Sequence, residues 1–230
     1  PKRDNYLFFT HLHIDHTVGF PMYSMAHGLN MEAKLRPDFS VYGPVGTKKM
    51  LRDSNSFVST HAPDYAVRVK AAGFPIDIET FSKGPNIPVT EVMSGGVVFR
   101  SKAFTVTSVP TPHLGIPGLN SFAYRVDSKY GAVVISGDTA PSLDVVDLSR
   151  GADLLVHEAS NSEHWMYPEG QIKEIALERW AGKLQHNGSE RTHTSPRELG
   201  KVAGQAQVKK LVVYHYFSAP LLPKDNDMLK

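Results

Sequence analysis

The chain has 230 residues, 41% of them hydrophobic, and a formal net charge of +2: enough for one large domain or two small ones, with no basic stripe of the kind a nucleic-acid coat needs. It has no cysteine, which excludes disulfides and thiolate zinc sites and leaves His and Asp as metal donors. No apolar run reaches the length of a membrane span, and Pro1-Lys2-Arg3-Asp4 leads into a strand-like run rather than a signal peptide, a pattern that fits a cytoplasmic location.

In chain order, the run Tyr6-Leu7-Phe8-Phe9 leads into Thr10-His11-Leu12-His13-Ile14-Asp15-His16, three imidazoles and a carboxylate within six residues. Neutral imidazole is the commonest zinc ligand, and a carboxylate oxygen is a good second donor. Alternate side chains of an extended loop point the same way. His11 and His13 are therefore expected to grip one ion, with Asp15 and His16 facing a second position. A helix is predicted over Thr17 to Leu29, and another over Pro44 to Arg52 after the strand Ser40-Val41-Tyr42. Residues 53–96, rich in Pro, Gly and Ser, read as an insertion.

The strand Phe104 to Val109 is followed, after a Pro-Thr-Pro turn, by His113. The strands Phe122 to Val126 and Ala132 to Gly137 are joined by the short hairpin-like link Asp127 to Gly131, and the second ends at Asp138. A helix is predicted from Ser142 to Leu148, and the strand Leu154 to Val156 ends at His157. Residues 160–192 read as an insertion or lid, with an aromatic loop at His164 to Pro168 and a helix from Gln171 to Leu184. Ser195-Pro196-Arg197-Glu198 carries a capping box, with Ser195 as N-cap and Glu198 at the third position. The strand Leu211 to Tyr214 ends at His215. Five apolar runs thus finish in ionisable residues, which can converge at one edge of a sheet where loops line a cleft. The mixture of strands and helices argues for a layered α/β or α+β domain. His27, His61, His164 and His186 sit in no repeated context and read as surface or packing residues. His164 is the best exception, since Trp165 and Tyr167 can line a cleft mouth.

These residues resemble the metallo-β-lactamase superfamily, over nearly the whole chain. Thr10 to His16 is similar to its HxHxDH signature, Ser136-Gly137-Asp138-Thr139 to its SGDT motif, and His113 and His215 to its later histidine ligands. The resemblance implies an α+β four-layer αβ/βα sandwich, a single domain over residues 1–230. It also implies two Zn2+ ions: His11, His13 and His113 on one, Asp15, His16 and His215 on the other, and Asp138 bridging. Manganese or iron suits the same N/O donors.

Within the superfamily the chain looks most like the ribonuclease Z branch, the endonucleases that trim precursor transfer RNA. Gly19 and Pro21 after the first motif, Leu155-Val156-His157-Glu158-Ala159-Ser160, and His193-Thr194-Ser195 carry that likeness. The last resembles the branch's His-Ser-Thr with its hydroxyls reordered. The branch implies catalytic roles for Asp15, His193 and Glu158: Asp15 on a metal-bridging hydroxide, His193 at the leaving oxygen, and Glu158 orienting His193. It implies RNA as substrate, no membrane, and a homo-oligomer, dimer or tetramer. The alternative within the superfamily is a hydrolase of β-lactams, lactones or aryl sulfates. A silent scaffold is expected to lose ligands, and all seven are kept here. Two departures stand out. The long arm that relatives carry between the strands around 127–131 is replaced by five residues. The family's opening strands are also expected ahead of residue 1, so the domain reads as N-terminally incomplete.

Overall fold

Buried strands arise here from short β-branched and aromatic runs, each stopped by a turn or a polar loop. The computed structural model describes residues 5–24, 39–73, 87–113, 120–160 and 193–217. They fall in two compact units, Pro1–Met93 and Ser94–Lys230.

The first unit holds a three-stranded parallel sheet, β1 (Asn5–Phe8), β2 (Phe39–Pro44) and β3 (Val89–Val92), with β2 central. Phe39 and Val41 alternate inward from β2 and pack with Phe9, Phe20 and Leu51. The rings of Phe9 and Phe20 meet edge to face at 5.6 Å, so the histidine motif is anchored on both sides by core aromatics. Helix α1 (Ile14–Thr17) starts within the motif, and residues 20–24 are helical again. The rest of the helix expected to reach Leu29 lies outside the described residues.

Helix α2 (Thr47–Ser59) begins three residues later than expected and runs well past Arg52. Its N-cap, Gly46, has φ +100°, where a side chain is strained. With no side chain at the cap, Glu91 of β3 supplies the acceptor: its Oε1 takes the N–H of Gly46 at 2.9 Å and of Lys48 at 3.0 Å. The 53–96 stretch thus contains the end of α2, helix α3 (Ala62–Ala71) and β3. Residues 161–192, with the aromatic loop and the helix expected there, lie outside the described residues.

The second unit holds a six-stranded sheet in sequence order: β4 (Gly96–Arg100), β5 (Phe104–Pro110), β6 (Phe122–Ser128), β7 (Gly131–Ile135), β8 (Leu154–Ser160) and β9 (Leu211–Phe217). The β4 to β7 pairings are antiparallel, while β7, β8 and β9 run parallel. The short link after β6 is a hairpin in which Ser128 pairs with Gly131. Parallel neighbours need crossovers, supplied here by α4 (Leu143–Ser149) and α5 (Pro196–Ala206). Val145, Val146 and Leu148 of α4 and Val202 and Ala206 of α5 bury against Val134 and Leu155. Among the described residues no helix is long and apolar enough to cross a membrane.

The capping box at α5 forms as its sequence predicts. Ser195 Oγ accepts the N–H of Glu198, and Glu198 Oε2 accepts the N–H of Ser195 at 3.1 Å. Ser195→Ala removes that cap, and urea unfolding is expected to show a loss of about 1 kcal/mol. An unchanged midpoint would mean that the N–H groups find other acceptors.

Candidate metal centre

In the first unit the chain leaves β1 at Phe8 and reaches His11 three residues later. His13 is still extended (φ −60°, ψ 150°) and is the N-cap of α1, so Asp15 and His16 stand in a helical turn, not in the extended loop that the sequence predicted. The change is local: nothing before Ile14 marks a helix start, and His13 makes no side-chain cap bond. The rings still gather. His11 is buried, with its ring centroid 4.7 Å from His13 and 4.2 Å from His16. Asp15 Oδ2 lies 3.2 Å from His16 Nε2. One donor cluster is therefore built by six consecutive residues.

The second unit builds its cluster from separate strands. His113 follows β5 by three residues, and Asp138 follows β7 by three. Asp138 is buried, and imidazoles surround its Oδ2: His215 Nε2 at 3.5 Å, His113 Nε2 at 3.8 Å and His193 Nδ1 at 3.9 Å. These separations are long for hydrogen bonds. The His215–Asp138 separation is close to that of two ligands about 2.1 Å from one tetrahedral zinc, which sit roughly 3.4 Å apart. The donor set is all nitrogen and oxygen, which fits zinc.

His215 does not follow a strand end as expected; it lies within β9. The pairing of β8 with β9 shifts register between Glu158 and Ser160, giving β9 one extra residue. At this bulge His215 has φ +51°, a left-handed backbone that a non-glycine residue holds at a cost of roughly 1–3 kcal/mol. His157 likewise lies inside β8, fully buried.

Glu158 is the hub of this cluster. It is completely buried, and its Oε1 accepts three hydrogen bonds: from His193 Nδ1 at 3.0 Å, Thr139 N at 3.1 Å and Thr194 N at 3.2 Å. Burial pushes its carboxyl above the usual range, and the bond from His193 opposes that. Its Oε2 has no hydrogen-bond partner among the described residues. The structure thus brings His113, Asp138, Glu158, His193 and His215 together in the second unit, and His11, His13, Asp15 and His16 together in the first. His61 is exposed, the N-cap of α3, with its ring 6.2 Å from Phe57. His27, His164 and His186 lie outside the described residues. Thr139 and Ser136 were not singled out from sequence. The only signal they give is their place in the SGDT run, beside Asp138.

Known proteins resemble this chain over most of its length. A family model described as a β-lactamase superfamily domain matches residues 2–216. Ribonuclease BN of Erwinia tasmaniensis is 25% identical over 268 residues, covering 95% of this chain and 72% of that protein. Ribonuclease Z of Myxococcus xanthus is 26% identical over 246 residues, covering 92% of this chain and 70% of its own length. Among solved structures, the short form of human tRNase Z superposes with a TM-score of 0.55 at 20% identity, covering 92% of this chain and 72% of that one.

His157 supplies a test of the buried end of β8. Its Nδ1–H donates to the Glu158 carbonyl at 2.7 Å, and burial, opposed by that bond, drives the imidazole down to about 4. The unfolded chain takes up this proton near the ordinary value of about 6.5. Between roughly pH 6.5 and 4 the unfolded state therefore binds more protons than the folded one. The stability is present in full above that window and is lost as the pH falls through it. Urea unfolding at about pH 7 and about pH 4.5 is expected to show a smaller acid loss for His157→Leu than for the wild-type protein. Equal losses would assign the acid sensitivity to other groups.

Proposed function

The chain belongs to the β-lactamase superfamily, on the side of its ribonuclease Z members, and from that footing we propose that it is a dinuclear zinc phosphodiesterase acting on RNA as an endoribonuclease. In this reading residues 1–230 act as one domain. His11, His13 and His113 hold one ion, Asp15, His16 and His215 hold the other, and Asp138 serves both. When bound, the zinc pair supplies an acidified water and Lewis acidity toward a phosphoryl oxygen.

The protein's own residues do the rest. Asp15 orients the attacking water and accepts its proton. His193 donates its Nδ1–H to Glu158 Oε1, which fixes the ring and leaves Nε2 to serve the leaving oxygen as general acid. The buried Glu158 holds that tautomer and favours the imidazolium. The observation that carries the reading is this Glu158–His193 pair, with His193 Nδ1 3.9 Å from Asp138 Oδ2. A carboxylate–imidazole pair beside a candidate metal ligand is a proton-transfer device. A packing role would not need it. The same reading takes the protein as a cytoplasmic homo-oligomer, with manganese or iron as metals the donors also accept.

A second reading has its own observation. The link between β6 and β7 is a hairpin in which Ser128 pairs directly with Gly131. The long arm of the ribonuclease Z branch has no counterpart there. A site without that arm suits a smaller substrate, such as a β-lactam, lactone or aryl sulfate, and the same water attacks a carbonyl or sulfur centre.

Two measurements decide. His193→Ala is expected to lower turnover of bis-p-nitrophenyl phosphate by about a hundredfold or more with bound metal unchanged. Parallel loss of metal and activity would make His193 structural. Side-by-side assays with precursor transfer RNA and a chromogenic β-lactam are expected to favour the RNA, and cleavage of the β-lactam alone would establish the second reading.

A further inference from the structure

We infer that Thr194 is a positioning residue for the reaction: its hydroxyl locks the loop that carries His193 to the loop that carries Asp138. Thr194 is completely buried, and all three of its polar groups are used. Its Oγ1–H donates to the Thr139 carbonyl at 2.7 Å. Its N–H donates to Glu158 Oε1 at 3.2 Å, and its carbonyl accepts the N–H of Ser160 at 2.9 Å. Thr139 follows Asp138 directly and is gripped at both ends of its backbone: its N–H goes to Glu158 Oε1 at 3.1 Å, and its carbonyl goes to Thr194.

These bonds close a ring through Thr139, Glu158 and Thr194. His193 precedes Thr194, so the residue before each threonine carries a functional side chain. The Glu158 carboxylate alone fixes where the two N–H groups point. The hydroxyl joins the two loops directly by a hydrogen bond, and without it the Thr139 carbonyl loses that donor inside a buried site. A shift of either loop changes the distance from His193 to Asp138, and misplacing a proton donor by an ångström costs about a hundredfold in rate. The ring also explains the reordered hydroxyls. Position 194 needs a hydroxyl to reach Thr139, and position 195 needs one to cap α5. Serine and threonine satisfy either.

The proposal rests on the reading of His193 as the catalytic acid, so the experiment separates the two. Metal-loaded Thr194→Val, Thr194→Ala, Thr194→Ser and His193→Ala are assayed on bis-p-nitrophenyl phosphate, with bound metal and melting measured on each. The valine variant keeps the shape and loses the hydroxyl. It is expected to lose kcat by about tenfold to a hundredfold with KM and bound metal within about twofold. Serine is expected to restore kcat to within about threefold of wild type. The proposal is overturned if valine and alanine keep kcat, or lose it only in step with bound metal or folded protein, while His193→Ala is impaired. Collapse of the fold in both would also overturn it, assigning the hydroxyl to stability alone. If His193→Ala keeps wild-type turnover, the assignment of His193 itself falls, and this proposal falls with it.

Discussion

An anion taken out of water must be compensated where it lies, and among the carboxylates that the second unit buries are Asp138 and Glu158. The protein solves them differently. Glu158 is met by three N–H donors on one oxygen, delivered by two chain segments, the loop after β7 and the loop before α5. That arrangement supports a charge-assisted network, and it fixes the backbone after Asp138 and the ring of His193 together. Asp138 is met by a ring of imidazoles at 3.5–3.9 Å. Imidazoles at that spacing stand at or beyond the limit of an ordinary hydrogen bond. A cation held among them would compensate it well.

The fold serves this constraint. Parallel strands β7, β8 and β9 end or bend at the same edge, and α4 and α5 cover them through an apolar core of Val134, Leu155, Val145 and Val202. The core is rigid, so the loops after the strands can be held at fixed positions. Where a strand alone does not aim a side chain, a bulge does: the extra residue in β9 turns His215 into a left-handed backbone. In the first unit the same logic uses aromatics. Phe9 and Phe20 bracket the histidine motif, and the carboxylate of Glu91 replaces the side chain that Gly46 lacks. Strain at His215 and a borrowed cap at α2 are local costs, one in each unit.

Much of this was legible in the residues. His11, His113 and Asp138 each stand three residues beyond a strand because an aromatic or β-branched run gives way to a loop. The capping box of Ser195 and Glu198 was equally plain, since both partners lie within one turn. The misses share a cause. In the linear pattern polarity marks the end of a strand, yet β8 continues through His157, Glu158 and Ser160, all buried. Hydrogen bonds from distant loops make that burial tolerable, and a linear pattern does not show them. Helix α2 was cut short for the same reason: Asp53, Ser54, Asn55 and Ser56 read as loop, although the buried face of Thr47, Leu51 and Ser54 continues through them. Tertiary contacts overrode local propensity there.

The proposed function requires the donors of both units to hold a pair of divalent cations. Diffraction at the zinc absorption edge, from crystals of the zinc-loaded protein, tests it most directly. The account predicts two anomalous peaks a few ångströms apart, one against His11, His13 and His113, the other against Asp15, His16 and His215, with Asp138 touching both. One peak, or peaks away from Asp138, would contradict it.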